Sequence, residues 1–262
     1  MKKLRVLSLF SGIGAFEKAL ENLGIDHEVV NYCEIDKYAS KAYSLIHNIP
    51  ESMNLGDIRN INENDLPEDI DLLTYGFPCQ DISIAGEQKG FIDVNGNKTR
   101  SGLFFDALRI IRAVKPKVAI AENVKNLTGK TMQPLFYMVK TSLAMNGYNN
   151  YWKILNAKDY GIPQNRERVF IVSIRQDIDD GTFQFPEPIP LTKCLKDMLE
   201  TEVDSSYDIS AEGVDFMYRQ VGGGSNRTHW DFGYHNDTKN QVAHCITATY
   251  MKGIPHNVLV ER

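Results

Sequence analysis

The chain lacks any apolar run long enough to cross a bilayer, and it has no internal repeat and no low-complexity tract. The first absence argues against a membrane-spanning helix, which needs about 20 consecutive apolar residues. The others argue against a solenoid and against a disordered tether. Positive charge is not in excess: 29 Lys and Arg stand against 34 Asp and Glu, for a net charge of −5. Such a chain is not held on nucleic acid by bulk charge, although one basic face would suffice for contact. Local basic clusters exist at Lys89, Lys98 and Arg100 and at Lys115, Lys117, Lys125 and Lys130; an isolated cluster of this kind reads first as solvated surface. Cysteine is scarce. Cys33, Cys79, Cys194 and Cys245 show no metal-ligand spacing, so neither a zinc site nor a disulfide framework is expected, and the thiols read as reduced. The opening Met1–Phe10 mimics the basic head of a signal peptide, but Ser11-Gly12 follows with no small-residue cleavage site, and export is not expected.

What is present is an alternation of apolar runs and helical patterns. Strands are predicted over Leu4–Leu9, Glu28–Cys33, Asp71–Tyr75, Val118–Glu122, Tyr151–Leu155 and Val169–Ile174. Between them, Phe16, Ala19, Leu20 and Leu23 recur at helical spacing, as do Ala39, Ala42, Tyr43 and Ile46, then the run Leu103–Val114, then Leu135, Met138, Val139 and Leu143. Gly24 and the pair Lys115-Pro116 read as helix stops. Strand and helix in turn predict an α/β fold with a parallel sheet covered on both faces. After Arg175 the pattern changes. Phe183–Pro190 is proline-rich and reads as a linker, and Leu191–His244 is polar and loop-rich, with Gly222-Gly223-Gly224 in it.

Open α/β sheets build their sites at the carboxyl ends of the strands. Four predicted strand ends, and two segments beside them, carry chemistry. The first opens into Phe10-Ser11-Gly12-Ile13-Gly14, whose glycines permit a tight turn and close backbone approach to a ligand at a helix amino terminus. This is half of a dinucleotide fingerprint, so nicotinamide binding is weakly supported. The second ends in Glu34-Ile35-Asp36, where Glu34 suits ribose hydroxyls and Asp36 suits a helix cap. Asn54-Leu55-Gly56-Asp57-Ile58 supplies another acidic turn. The strand over Asp71–Tyr75 leads to Pro78-Cys79-Gln80-Asp81, with a proline fixing the backbone before the thiol; the bland alternative is a small buried hydrophobe. Glu122-Asn123-Val124 follows the strand through Ala121, and a partly buried carboxyl there could donate a proton. Gln164-Asn165-Arg166-Glu167-Arg168 precedes the strand Val169–Ile174, and alternation sends Gln164, Arg166 and Arg168 to one side, where two guanidiniums could orient a carboxylate, a carbonyl or a phosphate. The alternative is an ion-pair ladder with Glu167 and Asp159.

Taken in order, FSGIGAF, EID, GDI, GFPCQ, SGLFFDALR, ENV and QNRERVF resemble the motifs of DNA (cytosine-5) methyltransferases, from Leu7 to about Ile174, with a weaker echo at Cys245-Ile246-Thr247-Ala248-Thr249. The resemblance implies a Rossmann-like methyltransferase sheet using S-adenosyl-L-methionine, with a catalytic and cofactor-binding domain over 1–180, a small loop-rich target-recognition region over 181–244 and a return segment over 245–262. It implies that Phe10, Ser11, Gly12, Gly14, Glu34, Ile35, Asp57, Ile58, Pro78 and Leu103 form the cofactor pocket. It assigns Cys79 as nucleophile toward carbon 6 of a flipped cytosine and Glu122 as the acid at ring nitrogen 3. Arg168 would bind the base carbonyl, and Arg166 would support the site. Double-stranded DNA is the implied partner, with Gln80, Ser83, Lys89, Arg100, Gln164 and Arg227 nearest to it and a basic, glycine-hinged loop over Ile84–Ser101 closing on it. The implied location is cytoplasmic, on the nucleoid.

The chain departs from the family pattern after the echo at Cys245, where an RxLTxxE segment and a GN-containing motif are expected and are not found. Three explanations stand open: a truncated chain, a natural degenerate fragment, or one half of a split enzyme completed by a second polypeptide that supplies those motifs. A catalytically silent or split subunit is the alternative of another class. A tRNA cytosine methyltransferase is the enzyme alternative, disfavoured by Gly76-Phe77-Pro78-Cys79-Gln80 where those relatives have PPCQ.

Overall fold

The computed structural model describes residues 2–78, 100–202, 204–207, 210–212, 233–235, 242–245 and 257–259. In chain order the strands and α-helices are β1 (Leu4–Leu9), α1 (Ala15–Asn22), β2 (His27–Cys33), α2 (Lys37–His47), β3 (Leu72–Tyr75), α3 (Phe104–Val114), β4 (Val118–Val124), α4 (Gln133–Ala144), β5 (Tyr148–Asn156), β6 (Gln164–Asn165), β7 (Glu167–Arg175), β8 (Gly233–His235), β9 (Ala243–His244) and β10 (Asn257–Leu259). Six of the strands form one sheet in the order β2-β1-β3-β4-β7-β5. Its first four strands are parallel, each neighbour in register at its carboxyl end, with Leu9 opposite both Cys33 and Tyr75, and Tyr75 opposite Ala121.

The sheet is mixed, which corrects the all-parallel expectation. β7 runs antiparallel to β4, with Val118 opposite Ile174 and Val124 opposite Arg168. β5 and β7 are sheet neighbours, and they are joined by residues 157–166 without an α-helix. A connection shorter than a crossover reverses the chain. The helical crossovers elsewhere keep the other connections parallel.

The strands are apolar on both faces because both are covered. Leu7, Leu9, Leu73, Ala119, Ala121, Val169 and Ile171 pack with Ala107, Ile110 and Ile111 of α3 and Val139 and Leu143 of α4. The alternate residues Val6 and Leu72 pack with Leu20 of α1 on the opposite face. Helix ends follow local chemistry. Asp36 caps α2 by accepting from the amides of Tyr38 and Ala39 at 2.8 and 2.9 Å, and α1 stops at Gly24, which takes φ +67°.

The chain divides into two compact units, Met1–Ile154 with Arg168–Phe185, and Leu155–Glu167 with Pro186–Arg262. In the second, β6 pairs in parallel with β9 and β8 with β10. Among the described residues no helix is long and apolar enough to cross a membrane, and no cluster of His, Cys, Asp or Glu could hold a metal ion.

Candidate active site

In the first unit, the carboxyl ends of β1, β2 and β3 and the start of α3 enclose a cavity of ≈ 460 Å³ lined by Phe10, Cys33, Glu34, Ile35, Gly56, Asp57, Ile58, Arg59, Pro78 and Leu103. Seven residues proposed from the sequence for a cofactor pocket meet here: Phe10, Glu34, Ile35, Asp57, Ile58, Pro78 and Leu103. The volume is that of a small-molecule site. Ile35 is 69 % exposed although apolar, so it offers a flat hydrocarbon surface at the mouth.

The turn after β1 is held by its own side chains. Phe10 takes φ +53°, Gly12 +55° and Gly14 +85°. The Ser11 hydroxyl bonds the Ser8 carbonyl at 3.1 Å and bridges the Cys33 backbone, accepting from its amide at 3.3 Å. Ser11 thus fastens β1 to β2. Gly12 donates its amide to Oε2 of Glu34 at 2.8 Å, and the amide of Asp36 donates to Oε1 at 2.8 Å. Glu34 is therefore fixed as a carboxylate-type acceptor facing the cavity. Gly14 does not line it. A Cβ at Gly14 would meet the His47 ring at 2.1 and 2.6 Å and Tyr43 at 2.9 Å, so the missing side chain there makes room for α2.

Asn54 is a residue the sequence reading passed over. Its side-chain amide donates to the Glu34 carbonyl and the Ser40 hydroxyl, each at 2.9 Å, while its oxygen accepts from the amides of Glu34 and Gly56 at 3.0 and 2.9 Å. One half-buried amide thus sets both acidic turns. Its signal was only its place before Leu55-Gly56-Asp57. Arg59 was missed as well. It reaches back to Asp57, Nε to Oδ1 at 2.9 Å, and its guanidinium holds the Asp57 carboxyl below the usual carboxylate range.

Cys33 is the one cavity-lining thiol among the described residues, and it is chemically quiet. Burial pushes it up to about 12, and its Sγ donates to the Gly56 carbonyl at 3.0 Å. A thiol kept protonated is not a nucleophile.

Glu122, expected at the carboxyl end of its strand, is followed by two further residues of β4, because β7 extends the ladder to Val124. Its Oε1 is 2.9 Å from Nε of Arg168, with side chains 26 % and 19 % exposed. The other oxygen sits beside Gly76, 3.7 Å from where a Cβ would stand. Asn123, 3 % exposed, donates to the Phe77 carbonyl at 3.2 Å and so ties β4 to the segment leaving β3. The pair Glu122–Arg168 and the cavity residue Pro78 are therefore joined through Gly76-Phe77.

Gln164, Arg166 and Arg168 do not share one strand. Gln164 is in β6 opposite Ala243, Arg166 stands between strands with Nη1 3.5 Å from Sγ of Cys245, and Arg168 is in β7. Cys79, Gln80, Ser83, Lys89 and Arg227 lie outside the described residues, as does most of the Ile84–Ser101 loop. Arg100 is described as backbone only, opening the 3₁₀ turn Arg100–Leu103.

The sequence profile described as C-5 cytosine-specific DNA methylase matches residues 4–256. The orphan methyltransferase M.Rho11sI of Bacillus phage rho11s is 45% identical over 249 residues, covering 84% of this chain and 48% of that protein. The type II methyltransferase M.HhaI of Haemophilus parahaemolyticus is 44% identical over 203 residues, covering 77% and 59%. The type II methyltransferase M.Bsp6I of Bacillus sp. (strain RFL6) is 38% identical over 262 residues, covering 97% and 80%. The chain spans about half the length of M.Rho11sI, at 48%, and of the orphan methyltransferase M.SPRI of Bacillus phage SPR, at 55%. Among solved structures, that of the Entamoeba histolytica methyltransferase EhMeth superposes with a TM-score of 0.71 at 21% identity, covering 97% of this chain and 74% of that one. The Rossmann-like fold is common to both.

Proposed function

The chain belongs to the C-5 cytosine-specific DNA methylase family, and from that premise we propose that it methylates carbon 5 of a cytosine flipped out of double-stranded DNA, with S-adenosyl-L-methionine as donor. The observation that carries this reading is the Glu122–Arg168 pair, connected through Gly76-Phe77 to a cavity whose lining suits an adenosyl group.

The donor set fits that cofactor. A ribose diol donates hydrogen bonds, and Glu34 is an acceptor already oriented by two amides. An adenine ring needs flat apolar contact, which Phe10, Ile35, Ile58 and Leu103 offer. When bound, the cofactor supplies a methyl group on a positively charged sulfur. Everything else falls to the chain. Carbon 5 of cytosine is a weak nucleophile; a thiolate adding to carbon 6 pushes the ring electrons toward carbon 5 and makes it enamine-like. Cys79, in Pro78-Cys79-Gln80, is the residue we assign to that addition. Glu122 would hydrogen-bond ring nitrogen 3 and the exocyclic amine, stabilising the charge that addition places there. Arg168 would hold Glu122 in position and bind the base carbonyl, with Arg166 supporting. Loss of the carbon 5 proton to a base, with departure of the thiolate from carbon 6, restores the aromatic ring. Because these atoms are hidden in a duplex, the base must leave the stack.

The test is trapping. Protein, S-adenosyl-L-methionine and a duplex bearing 5-fluorocytosine should give a covalent adduct, since fluorine blocks the final proton loss. Mass spectrometry should place the bond on Cys79, and Cys79→Ser should not form it. Cofactor binding without any adduct on a panel of duplexes would refute the catalytic reading.

A further inference from the structure

His47 closes α2, and its ring is buried under α1 with the side chain only 2 % exposed. Its Nδ1 lies 3.0 Å from Oε1 of Glu21, and its Nε2 lies 3.1 Å from the Ile13 carbonyl. A carbonyl oxygen only accepts. Glu21 is a carboxylate down to about pH 2, held there by Lys18 first and then by His47, so it too only accepts. Two acceptors require two ring N–H donors, which a neutral imidazole does not have. The last turn of a helix favours the cation further.

The anchored atom matters. Ile13 sits between Gly12, whose amide holds Glu34, and Gly14, whose bare α-carbon lets the ring approach. Phe10, at the start of the same turn, lines the cavity. From this we infer that His47 is a positioning residue: as an imidazolium it ties the Ile13 carbonyl to Glu21 and fixes the Phe10–Gly14 turn for the cofactor. This rests on the proposal that the cavity holds an adenosyl cofactor. Losing one ring proton sets a lone pair against a lone pair at either Ile13 or Glu21, and the turn loosens. The other groups facing this site are Glu17 and Lys18 on α1, Tyr43 on α2 and Tyr32 on β2. Lys18 bonds Glu21 at 2.7 Å. Tyr43 stacks on Tyr32 with centroids 4.1 Å apart, and burial, then the Glu17 charge, keeps its phenol protonated.

Two measurements on the full chain test it. Nitrogen-15 NMR of the wild-type ring should show both nitrogens protonated at neutral pH and should locate the pH at which one proton leaves; a single neutral tautomer at neutral pH would overturn the inference. Calorimetric titration with S-adenosylhomocysteine is then run on either side of that pH. Affinity should fall about tenfold across it, the worth of one charge-assisted hydrogen bond. In Glu21→Gln the amide can donate to Nδ1 of a neutral ring, so the affinity should be flat across the same pH. Parallel losses in wild type and Glu21→Gln, or no loss in wild type, would refute the role of His47. Absence of any binding in wild type would instead refute the cavity assignment, and the NMR result would still decide the state of the ring.

Discussion

Two glycines in one turn should respond to alanine very differently. Gly12 and Gly14 both have positive φ, +55° and +85°. An alanine at either must adopt a left-handed conformation, at a cost of ~1–2 kcal/mol. At Gly12 that is the whole effect, because nothing lies within 4 Å of the added carbon. At Gly14 the new methyl would overlap the His47 ring at 2.1 and 2.6 Å and Tyr43 at 2.9 Å. The ring cannot swing away freely: it is enclosed and held at both nitrogens. Overpacking of this kind adds ~1–3 kcal/mol. Gly14→Ala should therefore lose ~2–5 kcal/mol and Gly12→Ala ~1–2 kcal/mol. For a chain of this size, that corresponds to a fall in Tm of about 4–20 °C and about 2–8 °C. Differential scanning fluorimetry or urea unfolding reads both. Equal Tm values for the two variants would refute the reasoning, since the backbone strain is shared and the collision is not.

Cys33 should resist iodoacetamide in the native protein at about pH 8, where an ordinary thiol reacts readily; modification at the rate of a free cysteine, read by intact mass, would contradict its burial. Arg168→Met should lower methyl transfer on the order of 100-fold while changing S-adenosylhomocysteine affinity little, and equal losses in both would remove Arg168 from the base-binding role. Glu21 contributes stability that is full above the usual 4.5 and is lost as pH falls through about 2. Acid unfolding followed by circular dichroism should accordingly be less steep in that window for Glu21→Gln; an unchanged profile would show that its pairing with Lys18 and His47 adds nothing.

The strands were legible because burial on both faces makes them nearly continuous apolar runs, and the helices because their apolar residues recur at helical spacing. Strand ends were harder. Glu122 was expected at the end of its strand, yet β4 continues to Val124, since a strand's length depends on its neighbour and β7 lies 40-odd residues further along the chain. Alternation suggested that Gln164, Arg166 and Arg168 face one side, but β6 and β7 take different partners, Ala243 for one and β4 for the other. Asn54 and His47 left no pattern, because each acts through partners far off in sequence. Asn54 bonds Glu34, and His47 bonds Ile13. The cofactor residues were read from ordered motifs, and most of them meet at one cavity.

Direction along the sheet has a geometric consequence for which residues can work together. Strands sharing one heading bring their tails to the rim where Glu122 stands, so side chains recruited from them come from where each strand finishes. β7 is headed the other way and delivers its head to that rim. Arg168 can face Glu122 only for this reason; with β7 turned around, it would stand at the far rim beside Lys117, where Arg175 now is.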